Sequence, residues 1–164
     1  MLIDMQAQKN GIDFTVHIAP EIYEHPFVYG SPLHLRRAMM NIYSNCIKYN
    51  RENGAIHTEV DALPSHDHKL VCRWTISDTG IGISREYLEK IFEPFTQEKV
   101  DARSVYHGTG LGMSIAKALF EQMGGTIEIS STPGIGSTFV ITLPFEEAEE
   151  TDISSETESE RNSI

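Results

Sequence analysis

Two asparagines four residues apart, Asn41 and Asn45 in NIYSNCIKYN (41–50), stand in what otherwise reads as a buried helix. Asparagine is a mediocre helix former and is costly to bury without partners. Residues four apart share a helix face, so both amides point one way and call for something polar to hold. Further on, DTGIGI (78–83) sets an aspartate at the end of an apolar run, followed by alternating glycines. Such glycines let a backbone turn sharply and approach a ligand closely, and the aspartate can accept a hydrogen bond from an amine inside a pocket. GTGLGMSI (108–115) frees a third loop through Gly108, Gly110 and Gly112 and runs straight into a helix. Loop amides and a helix N-terminus together suit a phosphate.

Each stretch read alone leaves alternatives open. Asp-Thr-Gly is also the nucleophile motif of aspartic proteases, and Asp-Gly turns are common. GTGLG differs in spacing from the dinucleotide fingerprint and follows a long loop instead of a strand; without Gly-Lys-Ser/Thr it is not a P-loop. A plain helix-capping loop remains an alternative there.

The elements that must position these residues can be read from periodicity. Residues 1–11 look like the end of a helix, closed by Gly11, and IDFTVHIA alternates as a strand. Ser31-Pro32 starts a helix over 32–50, with Leu35, Met39, Ile42, Cys46 and Ile47 as its apolar stripe. AIHTEVDA and KLVCRWTIS read as strands joined through PSHDH, and SREYLEKIF as a short helix capped by Ser84. Residues 96–110 have no clean period, and a loop that long in a compact domain is usually functional. LGMSIAKALFEQM is an amphipathic helix closed by Gly124-Gly125. TIEISS and STFVITL follow as strands turned by TPGIG, with Pro144 ending the last. Mixed helices and strands with antiparallel pairs at the end predict an α+β, two-layer α/β sandwich with helices on one face of the sheet.

At 164 residues and 40% hydrophobic content, the chain can bury one sizeable core. No apolar run reaches membrane-spanning length, and MLIDMQAQKN lacks the hydrophobic segment of a signal peptide. Residues 146–164 hold eight acids and one arginine, so seven of the eleven net negative charges lie there. That segment reads as a disordered acidic tail or linker. The rest is mildly acidic, with no basic patch to suggest nucleic acid. Cys46 and Cys72 suit a reducing compartment as small buried hydrophobes, which predicts a cytoplasmic location.

The order of the motifs goes further than any one of them. NIYSNCIKYN, DTGIGI, FEPFTQE and GTGLGMSIAK occur in sequence over about 41–113. This series resembles the ATP-binding catalytic domain of sensor histidine kinases, within the gyrase, chaperone, kinase and mismatch-repair ATPase superfamily. FEPFTQE and GTGLGMSIAK look most like hybrid-type kinases, and the similarity extends over roughly 1–145. The resemblance implies a mixed sheet with helices on one face and a mobile ATP lid over 96–110. It implies a lead-in from a missing dimerisation domain over 1–11, a catalytic domain over 12–145 and the tail over 146–164.

By the same resemblance, Asn45 binds the magnesium that bridges the ATP phosphates, which suits a hard ion that wants oxygen ligands. Asn41 faces the same site, Lys48 adds a cation for phosphate, and Tyr49 walls the nucleotide. Asp78 accepts from the adenine exocyclic amine, while Gly80, Gly82 and Ile83 pass beside the base. Gly108, Thr109, Gly110, Leu111 and Gly112 belong to the phosphate-side loop. Thr138 matches a family hydroxyl near adenine, and Phe92 and Phe95 anchor the root of the lid. Where many kinases of this family carry an arginine after the phenylalanine motif, this chain has Gln97; Lys99, Arg103 and His107 are the substitutes at hand. The cofactors implied are ATP and Mg2+.

Hydrolysing branches of the superfamily resemble one another in a glutamate four residues before the magnesium asparagine, as base for a water. Asn41 stands there, and an amide cannot take that proton. Phosphoryl transfer to another acceptor is thereby favoured. No catalytic residue and no phosphoacceptor are expected in this chain. Among seven histidines, His66-Asp67-His68 comes closest to a phosphoacceptor but lies in a turn, and His25 and His34 lack a following acid. The implied partners are a separate dimerisation domain and a downstream response regulator or receiver, with no direct membrane contact. The rivals are a superfamily ATPase, a serine kinase and a nucleotide-binding module without transfer.

Overall fold

The computed structural model describes residues 2–65, 69–96 and 110–148. Helix α1 (Leu2–Lys9) ends at Gly11, whose φ of 66° lets the chain turn into strand β1 (Asp13–Ile18). A 3-10 turn (Pro20–Glu24) and the two-residue strand β2 (Val28–Tyr29) lead to helix α2 (Pro32–Lys48). The Ser31 hydroxyl caps α2 by accepting from the His34 N–H at 3.3 Å, and proline occupies the first turn, as the sequence predicts. Strands β3 (Ala55–Leu63) and β4 (Lys69–Asp78), helices α3 (Arg85–Leu88) and α4 (Gly112–Gln122), and strands β5 (Thr126–Thr132) and β6 (Gly136–Glu147) follow among the described residues.

The strands make one mixed sheet in the order β1-β3-β4-β6, with β5 and β2 sharing the outer edge of β6. Only β1 and β3 run parallel; every other pair is antiparallel. Alternation sends Ile56, Ile76, Ile141 and Leu143 to one face, where they are fully buried with Ile42 of α2 and Phe120 of α4. Thr58 is a buried polar member of that face, and its hydroxyl is paired with Tyr43 Oη at 2.9 Å. The opposite face carries His57, Glu59, Arg73 and Thr75, with an Arg73–Asp61 ion pair at 3.1 Å. The α+β sandwich expected from the sequence is thus present. Among the described residues, no helix is long and apolar enough to cross a membrane.

Three boundaries differ from the sequence reading. Helix α3 covers Arg85–Leu88 instead of continuing to Phe92. Beyond it the N–H groups of Lys90 and Glu93 bond three residues back, and Pro94 cannot continue a helix. Strand β6 passes through Pro144, because the outer edge of β6 has no partner between Thr142 and Glu146 and a residue without an N–H is tolerated there. Consequently Glu146 and Glu147 belong to the sheet, paired with Tyr29 and Val28, and are not the start of a tail. His25 lies 3.0 Å from Glu147 and reinforces that edge.

Candidate functional site

The end of α2, the exit of β4, the start of α4 and the start of β6 converge on one cavity of about 210 Å³. Helical spacing brings Asn45, Lys48 and Tyr49 to it from α2. Lys48 Nζ lies 4.9 Å from the centroid of the Tyr49 ring. Asn41 stands one turn deeper and does not line the cavity. It faces the start of α4, where a Cβ on Gly112 would lie 3.6 Å from its amide oxygen.

Asp78 closes β4 and turns into the cavity. Its Oδ1 accepts from the Gly80 N–H at 2.8 Å. Burial pushes its carboxyl group up from the ordinary carboxylate range, and hydrogen bonds from Gly80, the Cys46 thiol and the Ser137 backbone pull it back in part. Burial, then the Asp78 charge, push the Cys46 thiol well up, so Cys46 stays a neutral donor.

The loop after Asp78 is held by backbone contacts that leave little room. Ile81 N–H donates to the Tyr49 carbonyl at 3.0 Å, and a Cβ on Gly80 would come within 2.5 Å of that same oxygen. Gly82 has φ 71°, and its Cβ would meet the Thr132 carbonyl oxygen at 2.2 Å. Arg51 fastens the loop from outside, donating to the carbonyls of Thr79 and, at 2.9 Å, of Ile135. Ile81, Ile83, Ile91, Met113 and Phe139 give the cavity apolar walls.

At the other end Gly110 and Gly112 lead into α4. Leu111, the cap residue, supplies no side-chain hydrogen bond and does not line the cavity. Among the described residues the N-cap position thus gives the first amides of α4 no side-chain partner, an arrangement that suits an anion. Phe95 N–H donates to the Gly110 carbonyl at 3.1 Å, which ties together the two ends of segment 97–109. Phe92 packs on the core beneath Lys117, whose Nζ lies 5.0 Å over its ring, while the Phe95 side chain is exposed. Gly108, Thr109, Gln97, Lys99, Arg103, His107 and the His66-Asp67-His68 turn lie outside the described residues.

Thr138 requires a correction. Register pairs Ser77 with Thr138 and Asp78 with Ser137, so alternation puts Thr138 on the opposite face of the sheet. There its hydroxyl is bonded to Ser77 Oγ at 3.0 Å. Ser137, one residue earlier, is the hydroxyl that faces the cavity beside Asp78. Sequence reasoning also missed Tyr87 and Thr96, which meet at the cavity through a Tyr87 hydroxyl donating to the Thr96 carbonyl at 3.1 Å.

The donor set fits a nucleotide with its metal. A carboxylate among apolar walls suits a base bearing an amine. Asn45, Lys48 and the α4 N-terminus at the far end suit phosphates. Among the described residues, no group of three His, Cys, Asp or Glu side chains could hold a metal ion. A divalent ion here would rest on the Asn45 amide oxygen and on phosphate oxygens, as magnesium does in many phosphate sites.

Comparison with known proteins leads to the same place. Residues 30–147 match the family described as histidine kinase-, DNA gyrase B- and HSP90-like ATPase. Hybrid signal transduction histidine kinase A of Dictyostelium discoideum is 36% identical over 146 residues, which is 85% of this chain and 7% of that protein. Sensor histidine kinase GacS of Pseudomonas protegens is 42% identical over 114 residues, 70% of this chain and 12% of that one. The chain thus spans a small part of these relatives. Among solved structures, full-length ShkA in complex with AMPPNP superposes with a TM-score of 0.70 at 26% identity, over 90% of this chain and 28% of that one. The catalytic domain of histidine kinase ThkA, free of nucleotide, gives 0.69 at 26% identity over 87% of this chain and 86% of that one. With family match, relatives and fold in agreement, the chain belongs to the histidine kinase-, DNA gyrase B- and HSP90-like ATPase family.

Proposed function

We propose that this chain is the ATP-binding catalytic domain of a two-component sensor histidine kinase, which holds Mg-ATP for phosphoryl transfer to a histidine on a separate dimerisation domain. The observation that carries the reading is the joining of Asp78 and Asn45 in one cavity, from a strand end and a helix end far apart in sequence. ATP, when bound, would supply the transferable phosphoryl group, and magnesium would offset the charge of its phosphates. The rest is done by this chain's residues. Asp78 accepts from the base amine, Gly80 and Gly82 let the backbone pass beside the ring, and Asn45 holds the metal.

Lys48 and the amides at the start of α4 draw negative charge off the phosphates. Protein catalysis of phosphoryl transfer consists mostly of such positioning and neutralisation. Asn41 supports transfer over hydrolysis, since its amide offers no base to a water. A receiver domain or response regulator would take the phosphoryl group next. The need for ATP and the two free thiols, Cys46 and Cys72, fit a cytoplasmic setting.

The test mixes this chain with the dimerisation domain of its own parent protein and γ-labelled ATP. An acid-labile, base-stable phosphoprotein is expected. An acid-stable product would assign a serine kinase instead, and rapid phosphate release by the chain alone would assign an ATPase. ATP binding without any labelled product would leave a nucleotide-binding module.

A further inference from the structure

Ser131 and Ser137 stand opposite each other in the β5–β6 pair, both on the helix-covered face. Ser131 does not line the cavity, whereas Ser137 does. A serine hydroxyl carries one proton and two lone pairs. The Ser131 oxygen accepts from the Ile83 N–H at 2.8 Å and donates to the Gly136 carbonyl at 2.8 Å. It also lies 3.0 Å from Ser137 Oγ. A carbonyl can only accept, so the Ser131 proton is committed to Gly136. The third bond therefore exists only with Ser137 as donor.

Ser137 in turn has no proton left for a ligand. It faces the cavity with lone pairs alone, directly across the β4–β6 ladder from the Asp78 carboxylate. Two acceptors side by side favour an edge rich in N–H groups. A 6-amino group supplies two N–H donors, one for each acceptor; a 6-carbonyl sets oxygen against oxygen and leaves N1–H as the only donor beside it. A serine hydroxyl left to itself would rotate and donate to that carbonyl, weakening the discrimination.

We propose that Ser131 is a specificity-determining positioning residue, which locks the Ser137 hydroxyl as an acceptor and so excludes 6-oxopurine nucleotides. The inference rests on the nucleotide-binding reading and names a device within it. It also gives Ser131 a purpose that strand pairing alone does not require.

The experiment titrates ATP and inosine triphosphate, with magnesium, into the whole chain and its Ser131→Ala, Ser131→Thr and Ser137→Ala variants. The two bases differ at the 6-position, an amine in ATP and a carbonyl in inosine triphosphate, and with it at N1, which is bare in ATP and bears a proton in inosine triphosphate. The unaltered chain is expected to prefer ATP by roughly tenfold or more, the consequence of an unpaired acceptor facing another. Ser131→Ala should narrow that preference by roughly fivefold, because the freed Ser137 hydroxyl can donate. Ser131→Thr, which keeps the hydroxyl, should restore it. A purely structural Ser131 would weaken both nucleotides alike, and an unchanged ratio in a folded Ser131→Ala variant overturns the proposal. Should that variant fail to fold, Ser137→Ala keeps the Ser131 bonds to Ile83 and Gly136 and must narrow the ratio itself; an unchanged ratio there overturns the proposal equally. If the unaltered chain binds neither nucleotide, the nucleotide reading falls and takes the inference with it. If ATP binds and the ratio does not move, the inference alone falls.

Discussion

Asp78 sits where burial disfavours the charged form of its carboxyl group. Half-buried at the end of β4, its carboxyl group is pushed up by burial more than its three hydrogen bonds pull it down. A carboxyl group whose folded pKa exceeds its unfolded value binds its proton more tightly in the folded state. The stability this adds is fully present below the unfolded value and is lost as pH rises through the folded value. At neutral pH the empty protein therefore bears a cost for the ionised group. Asp78→Asn should raise the thermal midpoint near pH 7. The gain should shrink as pH falls through the carboxylate range. The same change removes an acceptor from the base end and should weaken ATP binding by roughly tenfold or more. Melting curves near pH 7 and pH 4, with an ATP titration, check both; a variant less stable near pH 7 would contradict the role given to burial.

Among the elements, the turn after β4 carries the tightest constraint. A side chain on Gly82 would collide with the backbone of the β5–β6 hairpin and would also hold a left-handed φ. Gly82→Ala should cost about 1–3 kcal/mol and displace the loop that passes beside the base. Gly124, with φ 78°, meets only Pro144 Cγ at 3.6 Å and lies at the far end of α4. Gly124→Ala should carry the backbone strain alone and leave ATP affinity unchanged. Calorimetric titration of both variants separates a local effect on the site from general destabilisation.

Most of the elements were legible in the sequence because their signals are local. Ser31, Pro32 and the stripe from Leu35 to Ile47 mark α2, and period-two alternation marks β3, β4 and β6. Pro144 misled, since a proline's effect depends on what lies beside the chain. Thr138 was assigned in place of Ser137 because register across β4 and β6 is a relation between strands and no single stretch encodes it. Tyr87, Ile91 and Met113 reach the cavity only through packing, so no spacing in the sequence could have gathered them.

At the scale of the whole molecule, the cavity is where separate parts of the chain are held against each other. Its lining residues are drawn from five stretches, within 45–49, 78–83, 87–96, 110–113 and 137–139, which meet only in the folded state. A ligand bridging them binds the native form and not the unfolded one, so it must stabilise the molecule by mass action. At about one hundred times its dissociation constant, a ligand adds about 2.7 kcal/mol, or roughly 5–11 °C here. The two ends of the cavity make different demands on that gain. In the proposed function Asn45 and Lys48 would meet phosphates and metal, whereas Asp78 and Ser137 would meet the base. Stabilisation by ATP should therefore fall when magnesium is chelated, while the smaller stabilisation by adenosine should not change. Asn45→Asp should erase much of the magnesium dependence of ATP by setting a charge against the phosphates, and leave the adenosine shift intact. Thermal shifts with ATP and adenosine, with and without chelator, read both ends at once. If adenosine proved as dependent on magnesium as ATP, Asn45 could not be the metal's anchor, because the base end offers that ion no phosphate oxygen to share.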